Sequence, residues 1–241
     1  MKATPNDQQA ILEVQGLDDQ LASLAQREAN LPETLALNST VIKRNNVRDL
    51  RIAAETERTD VKRELSRAEG DVEQIVTRIQ RDEARLNSGT GTPKELEQTQ
   101  HELVTLGQRR TELEEAELTI MVQVEGITNR INELSAEEEK LNAEIADLEI
   151  KRENALTVII NERNSVSEKR AAVAAPIAQE LKDLYSKLAA DNNGNGAALL
   201  VGNECKGCHL TINTTEVQRI STLSADEVVR CEQCRCILVR G

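Results

Sequence analysis

An apolar residue recurs at alternating steps of three and four along the second half of this chain, and this spacing restricts the fold more than any other feature. Strict stepping from Leu103 to Ile159 visits 17 positions, of which 13 are apolar. A heptad pattern of this length is typical of a left-handed coiled coil, because the repeat keeps one seam facing a partner helix. The polar exceptions, which we interpret as candidates for contacts between arms, register control or contact with a second chain, are Arg110, Glu117, Glu138 and Arg152.

A shorter apolar stripe, from Val61 to Leu86, precedes the long one. A Gly/Pro-rich segment near residues 88–93 separates the two stripes and predicts a turn. Because a short connection makes consecutive helices antiparallel, we expect the two stripes to pack on each other as a helical hairpin.

Pro32 predicts an interruption in the first arm of this hairpin. Proline cannot lie inside an unbroken helix, so we expect a kink or break near residues 31–33 and a separate first helix before it. In an antiparallel pair the numbers of facing residues should sum to roughly 180, which places Leu24 near Ile159.

Composition favours long helices over a compact globule. Tyr185 is the only aromatic residue of the chain, whereas ordinary cores bury several. The net charge of −12 argues against broad nucleic-acid binding, because that binding requires Lys and Arg to neutralise phosphates. No segment approaches the ~20 apolar residues that span a bilayer, and residues 1–7 lack the apolar run of a signal peptide. We therefore expect a cytoplasmic protein without membrane association.

Four cysteines form two Cys-x-x-Cys pairs near the end of the chain, Cys205 with Cys208 and Cys231 with Cys234. This spacing lets one tight turn offer two thiolates to a metal, and two such turns complete a tetrahedral site. We predict that the four cysteines bind one zinc ion. Four thiolates leave no coordination position for water or substrate, so the zinc is expected to be structural and a zinc hydrolase is disfavoured.

Short elements around the cysteine pairs complete the pattern of a zinc ribbon. Residues 197–201 and 236–240 have the composition of strands, and residues 213–216 resemble a capping box that opens a short helix. The sequence thus predicts a mainly α protein, with a long antiparallel coiled-coil hairpin over residues 1–190 and a small C-terminal β zinc ribbon over residues 197–241.

Two residues beside the cysteine pairs admit more than one interpretation. Cys236 follows Cys234 by two residues. It is most simply a packed or free thiol, and the alternatives are that it replaces Cys234 as a ligand or has a redox role. His209 directly follows Cys208. It is most simply an exposed histidine, and the alternatives are a hydrogen bond to a ligand sulfur or a role as a surrogate ligand.

Several short motifs stand out together: Leu31-Pro32-Glu33, Thr92-Pro93-Lys94-Glu95-Leu96, Gln100-His101-Glu102 and the two cysteine pairs with their flanks. With the long heptad pattern, these motifs resemble the bacterial four-cysteine zinc-ribbon proteins with a long coiled-coil hairpin, a family that includes flagellar regulators which bind an alternative sigma factor. The resemblance spans essentially the whole chain and implies zinc on the four paired cysteines and a transcription-related partner. The family reads Cys-Gly-Arg where this chain has Cys234-Arg235-Cys236, so we expect strain at residue 235.

These features favour a non-enzymatic adaptor or chaperone-like regulatory protein that binds a protein partner through the hairpin and the zinc ribbon. Candidate contacts at the hairpin tip are Pro93, Lys94 and Leu96. The alternative is a nucleic-acid-binding ribbon, which a near-neutral ribbon without stacking aromatics disfavours. Its candidate phosphate contacts are Arg219, Arg230, Arg235 and Arg240. Homodimerisation through the hairpin is left open.

Overall fold

The structure is a computed structural model that describes all 241 residues. It is mainly helical, with a long helical hairpin followed by a small C-terminal β region, so the predicted fold class is confirmed. None of its helices is long and apolar enough to cross a bilayer. In chain order the elements are α1 (Pro5–Ala29), α2 (Pro32–Asn87), α3 (Pro93–Ala174), α4 (Gln179–Asp191), β1 (Ala197–Val201), β2 (Glu204–Cys205), α5 (Thr214–Thr222), β3 (Val229–Arg230) and β4 (Ile237–Arg240).

The interruption expected near Pro32 separates α1 from α2. α1 ends at Ala29, and the backbone N–H of Asn30 still donates to the carbonyl of Gln26 at 3.1 Å. α2 then begins at Pro32. At the first position of a helix the missing N–H of proline costs no helical hydrogen bond, so proline starts a helix here instead of kinking one.

The chain forms two compact units, and both long helices contribute to each. One unit consists of Met1–Leu35 and Glu149–Gly241, and the other consists of Ala36–Leu148. The first therefore contains α1, the beginning of α2, the end of α3, α4 and the β region. The second contains most of the helical hairpin and its turn.

In the unit Ala36–Leu148, α2 and α3 run antiparallel along a narrow apolar seam. Every heptad position from Leu103 to Leu148 is buried or partly buried except Arg110. The guanidinium of Arg51 donates to the carboxylate of Glu138 across the seam at 2.8 Å. Glu138, one of the polar exceptions of the stripe, therefore joins the two arms.

The turn between α2 and α3 is fixed by a capping box. The carboxylate of Glu95 accepts from the backbone N–H of Thr92 at 2.7 Å, and the N–H of Glu95 donates to the hydroxyl of Thr92 at 3.4 Å. These contacts satisfy donors that the first helical turn leaves unpaired. The backbone N–H of Thr92, followed by its hydroxyl, holds the pKa of Glu95 below its usual value.

In the other unit, α1 packs against the end of α3 and against α4. Asp18 of α1 forms a bidentate pair with Arg170 of α3, with one Nη2–Oδ2 distance of 2.9 Å. The hydroxyl of Tyr185 on α4 donates to the same carboxylate at 2.7 Å. Leu24 and Ile159 lie in one apolar cluster, as the antiparallel register predicts. One carboxylate thus ties three helices together.

The β region is one four-stranded sheet in the order β2-β1-β4-β3. β1 pairs parallel with β4, and the outer pairs are antiparallel. These two central strands lie where the sequence predicts strands. Since alternate residues of a strand point to opposite faces, the sheet separates two cores. The helix-facing core, against α1 and α4, includes Ala197, Ile237 and Val239. The cysteine-facing core includes Ala198, Cys205, Cys231, Cys236 and Leu238.

Two buried glutamines on α1 tie this helix to the backbone of the β region. The side-chain oxygen of Gln15 accepts from the N–H groups of Gly196 at 2.7 Å and Ala197 at 3.1 Å. The side-chain amide of Gln8 donates to the carbonyl of Ala225 at 3.0 Å. Because buried amides are costly unless paired, these bonds fix the helix at one position on the sheet.

Candidate metal centre

The four cysteines predicted as zinc ligands converge at one point of the β region. Their sulfur atoms all lie within 4.8 Å of one another. The Cys205–Cys234 and Cys208–Cys231 sulfur pairs are each 3.9 Å apart. A tetrahedral zinc ion with bonds of about 2.3 Å places its sulfurs about 3.8 Å apart, so this cluster has the dimensions of a four-thiolate zinc site. The donor set and the spacing both fit the ion.

The two cysteine pairs form knuckles with the same backbone conformation. In the first knuckle the N–H of His209 donates to the carbonyl of Cys205 at 2.8 Å, and in the second the N–H of Arg235 donates to that of Cys231 at 3.0 Å. His209 and Arg235 are both left-handed, with φ of 56° and 65°. This conformation is unfavourable for a residue with a Cβ, so the strain expected at Arg235 is present in both knuckles.

The two knuckles also share a second backbone hydrogen bond, in which the N–H of the first cysteine donates to a carbonyl five residues later. The N–H of Cys205 donates to the carbonyl of Leu210 at 3.2 Å, and the N–H of Cys231 donates to that of Cys236 at 3.0 Å. Leu210 and Cys236 are therefore equivalent positions. Leu210 is 51% exposed, whereas Cys236 is completely buried. The two knuckles thus share their backbone and differ in the side chain two residues after the second ligand.

The first knuckle is held closely against the end of β1 and the segment before it. A Cβ on Gly207 would lie 2.5 Å from the side-chain nitrogen of Asn195 and 2.9 Å from the Cβ of Ala198. Glycine is therefore favoured at this position, because a Cβ would require Asn195 and Ala198 to shift.

Arg240 at the end of β4 holds the segment that leads into β3 and the second knuckle. The guanidinium of Arg240 donates to the backbone carbonyls of Ile220, Leu223, Ser224, Ala225 and Glu227 at 2.8–3.3 Å. These carbonyls belong to the end of α5 and to the segment that leads into β3. Arg240 therefore closes the cysteine-facing core on the side of the second knuckle.

Burial disfavours the thiolate form of three cysteines of this region. Burial raises the pKa of Cys208 to about 12 and also raises the pKa of Cys231 and of Cys236. Burial also acts on Cys234, but the backbone N–H of Cys236 and neighbouring thiols hold the pKa of Cys234 below its usual value. Zinc stabilises thiolates directly, so binding of the metal and loss of the thiol protons are expected to occur together.

His209 lies outside the sulfur cluster. Its ring is exposed, and Nδ1 is 3.4 Å from a carboxylate oxygen of Glu204. The same carboxylate accepts from the ammonium of Lys206 at 2.8 Å, and this contact, with the smaller effect of His209, lowers the pKa of Glu204. The geometry corresponds to the simplest interpretation of His209, an exposed histidine.

The four arginines considered as phosphate contacts have different environments. Arg240 is committed to backbone carbonyls, and Arg219 pairs with Glu216 on α5 at 2.7 Å. Arg230 and Arg235 are exposed. Two of the four candidates are therefore engaged within the protein, and an interface built from the other two carries little positive charge.

The candidate tip residues lie at the start of α3. Pro93 and Lys94 are exposed, and Leu96 is partly buried. The sequence did not predict the structural roles of Arg240 and Gln15, whose side chains bind backbone groups of the β region. Neither has a local signal, because the partners of these side chains lie elsewhere in the chain.

Fold and site together define the class of protein: a helical coiled-coil hairpin joined to a four-cysteine zinc ribbon. Residues 14–193 match the family model of the CT398-like coiled coil hairpin domain, and residues 205–238 match that of the C4-type zinc ribbon domain. This chain belongs to the family of CT398-like coiled coil hairpin proteins. The prediction of one structural zinc ion is confirmed by the ribbon match together with the close cysteines.

Relatives align over nearly their whole length. The uncharacterized protein Rv2229c of Mycobacterium tuberculosis (strain H37Rv) is 34% identical over 244 residues, covering 100% of this chain and 98% of the relative. A solved structure from Mycobacterium smegmatis is 30% identical with a TM-score of 0.89, covering 100% of both chains. The structure of CT398 from Chlamydia trachomatis is 19% identical with a TM-score of 0.73, covering 98% of both chains, and shares the fold.

Proposed function

We propose that this protein is a non-enzymatic, zinc-binding adaptor that binds a basic amphipathic helix of a protein partner. The observation that supports this function is an outer patch on α3, formed by Leu118, Met121 and Val122, which are 59%, 47% and 67% exposed. Their spacing places them on one face of the helix. They lie off the heptad positions that pack against α2, so the hairpin itself does not need them to be apolar.

The stretch of α3 around the outer patch is rich in glutamate, which favours one kind of partner. Residues 111–129 contain five glutamates, of which Glu112 and Glu114 pair with Arg109 and Arg110. Glu115 and Glu125 are exposed one turn before and one turn after the patch. Opposite charge at the border of an apolar contact steers association and excludes wrong partners. A partner helix with an apolar face flanked by Lys or Arg fits this surface, as helices do in groove or face recognition.

The zinc ribbon contributes rigidity and a second surface to this adaptor. Four sulfurs around one ion leave no position for a substrate, so the site supports the fold instead of a reaction. We place the protein in the cytoplasm, because a reducing compartment keeps zinc-binding thiols from forming disulfides. Pro93 and Lys94 at the tip, and the ribbon surface, remain candidates for additional contacts with the same partner.

A comparison of two matched variants tests the outer patch. Leu118→Lys should lose the partner, whereas Val104→Lys should keep it. Val104 is 61% exposed, lies on the same helix and precedes Leu118 by two heptads, so it is a matched control. The full chain and both variants are used to capture proteins from nuclease-treated extract of the native host, with quantification by mass spectrometry. A synthetic helix of the captured protein is then titrated against all three chains.

The proposal requires a protein retained by the full chain and by Val104→Lys, released by Leu118→Lys, and carrying a basic amphipathic helix that binds directly. Identical sets of retained proteins in all three captures contradict it. Material that is captured from untreated extract but not from nuclease-treated extract instead favours the nucleic-acid alternative, for which Arg230 and Arg235 are exposed cations. That alternative predicts binding that weakens steeply with salt and is lost in a double Arg→Glu variant of these residues.

A further inference from the structure

The cysteine-facing core contains a fifth sulfur atom in contact with the zinc site. The sulfur of Cys236 lies 3.3 Å from that of Cys234 and 3.7 Å from that of Cys205. Both distances are no longer than the separation of about 3.8 Å between two sulfurs of one tetrahedral zinc site. The four paired cysteines form the corners of the tetrahedron. Cys236 is as close to two of these sulfurs, those of Cys205 and Cys234, as two ligands of one zinc ion are to each other.

The first knuckle has no sulfur at the equivalent position. Leu210, the position equivalent to Cys236, is half exposed and carries no metal-binding atom. The asymmetry concerns solvent as well, because Cys234 is partly exposed whereas Cys236 has no exposed surface. A reagent that approaches the second knuckle from solvent therefore reaches Cys234 before Cys236.

We propose that Cys236 is a reserve zinc ligand that takes the place of Cys234. In the exchanged site the four ligands are Cys205, Cys208, Cys231 and Cys236. The bond from the metal to the Cys234 sulfur breaks, and a bond to the Cys236 sulfur forms. The proton that Cys236 loses passes to the Cys234 sulfur across 3.3 Å, so the exchange changes neither the total charge nor the oxidation state of any atom.

The exchange requires a modest movement of one side chain. Cys236 contacts Cys205 and Cys234 but lies outside the group of four sulfurs that are mutually within 4.8 Å. Its sulfur must therefore move toward Cys208 and Cys231. Cys236 immediately precedes β4, so its backbone is held by the sheet and the movement falls on the side chain. The consequence is that zinc is retained when an electrophile alkylates Cys234. The alkylated sulfur leaves the metal, the thiolate of Cys236 replaces it, and the proton of Cys236 passes to solvent because the thioether cannot accept it.

Two equivalent single substitutions distinguish a reserve ligand from a packed thiol. In the full chain, Cys234→Ser should retain one zinc with four sulfurs, whereas Cys208→Ser, its counterpart in the first knuckle, should retain at most three. The double variant with Cys234→Ser and Cys236→Ser should behave like Cys208→Ser, and Cys236→Ser alone should keep four sulfurs. X-ray absorption at the zinc edge counts the sulfurs, and elemental analysis counts the zinc.

Three sulfurs in Cys234→Ser, or failure of this variant to retain zinc and fold, overturns the proposal, because a reserve ligand would replace the missing thiolate. A second measurement needs no ligand substitution. Iodoacetamide is added to the zinc-bound full chain and to its Cys236→Ser variant, alkylated sites are mapped by mass spectrometry, and released zinc is followed with a chelating dye. Alkylation of Cys234 should release zinc only from Cys236→Ser. Equal release from both chains contradicts a reserve role.

Discussion

The two cysteine knuckles share their backbone hydrogen bonds but lie in different surroundings. Behind the first knuckle, Asn195 and Ala198 approach so closely that its third residue, Gly207, has no room for a side chain. The same position of the second knuckle is Gln233, which is exposed. On its buried side the second knuckle carries Cys236 instead of a half-exposed leucine. Metal geometry therefore determines the local backbone, whereas packing around each knuckle determines which side chains it accepts.

Removal of zinc should have the largest effect on the stability of the ribbon, because both knuckles bind the same ion. Structural zinc contributes apparent binding free energies of about 10–16 kcal/mol, and in a small ribbon this is folding free energy. We expect chelation to remove amide hydrogen-exchange protection from residues 202–236. α1 and α4 should keep theirs, because the helix-facing core contains no metal ligand. Hydrogen exchange with mass spectrometry measures both regions in one experiment.

The control for this experiment is readdition of zinc, which should restore protection in both knuckles together. Protection that survives chelation in the second knuckle alone would show that Arg240 and Cys236 suffice to hold it. Loss of protection throughout α1 would show that the two cores are not independent.

The shared features of the knuckles are the part of the site that sequence reasoning predicted. Cys-x-x-Cys spacing is a local constraint, so four ligands could be proposed from two short segments. The same holds for the central strands and for α5, where Asn213 caps the helix by accepting from the N–H of Thr215 at 3.1 Å. Heptad stepping is equally local in origin, and it correctly located the seam between α2 and α3.

The contacts that support the knuckles could not be predicted, because they join parts of the chain that are far apart in sequence. Gln15 lies on α1, yet it binds the backbone of Ala197 at the start of β1. Arg240 appeared in the sequence as a cation for phosphate, but β4 places its guanidinium among carbonyls. Polar residues of this kind have no periodic pattern, and only the assembled fold shows their partners.

Arg240→Met should have the second largest effect and should act mainly on the segment that leads into the second knuckle. The substitution leaves carbonyls at the end of α5 and before β3 without a charged donor. Hydrogen bonds to charged groups contribute about 1.5–3 kcal/mol each, and water replaces part of the loss. We expect the opening free energy of residues 220–231 to fall by about 2–4 kcal/mol, measured by hydrogen exchange.

The matched control for this substitution is Arg230→Met. Arg230 is exposed on the neighbouring strand, and surface substitutions usually change stability by about 0.5 kcal/mol or less. An equal effect of the two variants would show that lost charge, and not the carbonyl contacts, destabilises the ribbon. An equal loss of protection in the first knuckle would show that Arg240 supports both.

Gly207→Ala tests the packing difference directly. The added Cβ meets the side chain of Asn195 and the Cβ of Ala198 at distances that require a shift. Overpacking of this kind costs about 1–3 kcal/mol, so hydrogen-exchange protection of β1 and β2 should fall accordingly. At the equivalent position, Gln233→Ala should change stability by about 0.5 kcal/mol or less. Equal effects of the two substitutions would mean that packing supports the two knuckles alike.

The smallest effects are expected where the knuckles are most alike, at the left-handed residue after each second cysteine. His209 and Arg235 have φ of 56° and 65°, and glycine adopts this conformation without the steric cost of a Cβ. The steric cost is about 1–2 kcal/mol, and the greater freedom of glycine in the unfolded chain offsets about 0.5–1 kcal/mol of the gain. Arg235→Gly and His209→Gly should therefore each raise the opening free energy by about 0.5–1 kcal/mol, with His209→Gly slightly lower because it loses the contact with Glu204.

Hydrogen exchange of the two knuckles, with Gln233→Ala as the neutral reference, resolves the order. A destabilised Arg235→Gly chain would mean that the arginine side chain makes a favourable contact that outweighs the strain of its backbone.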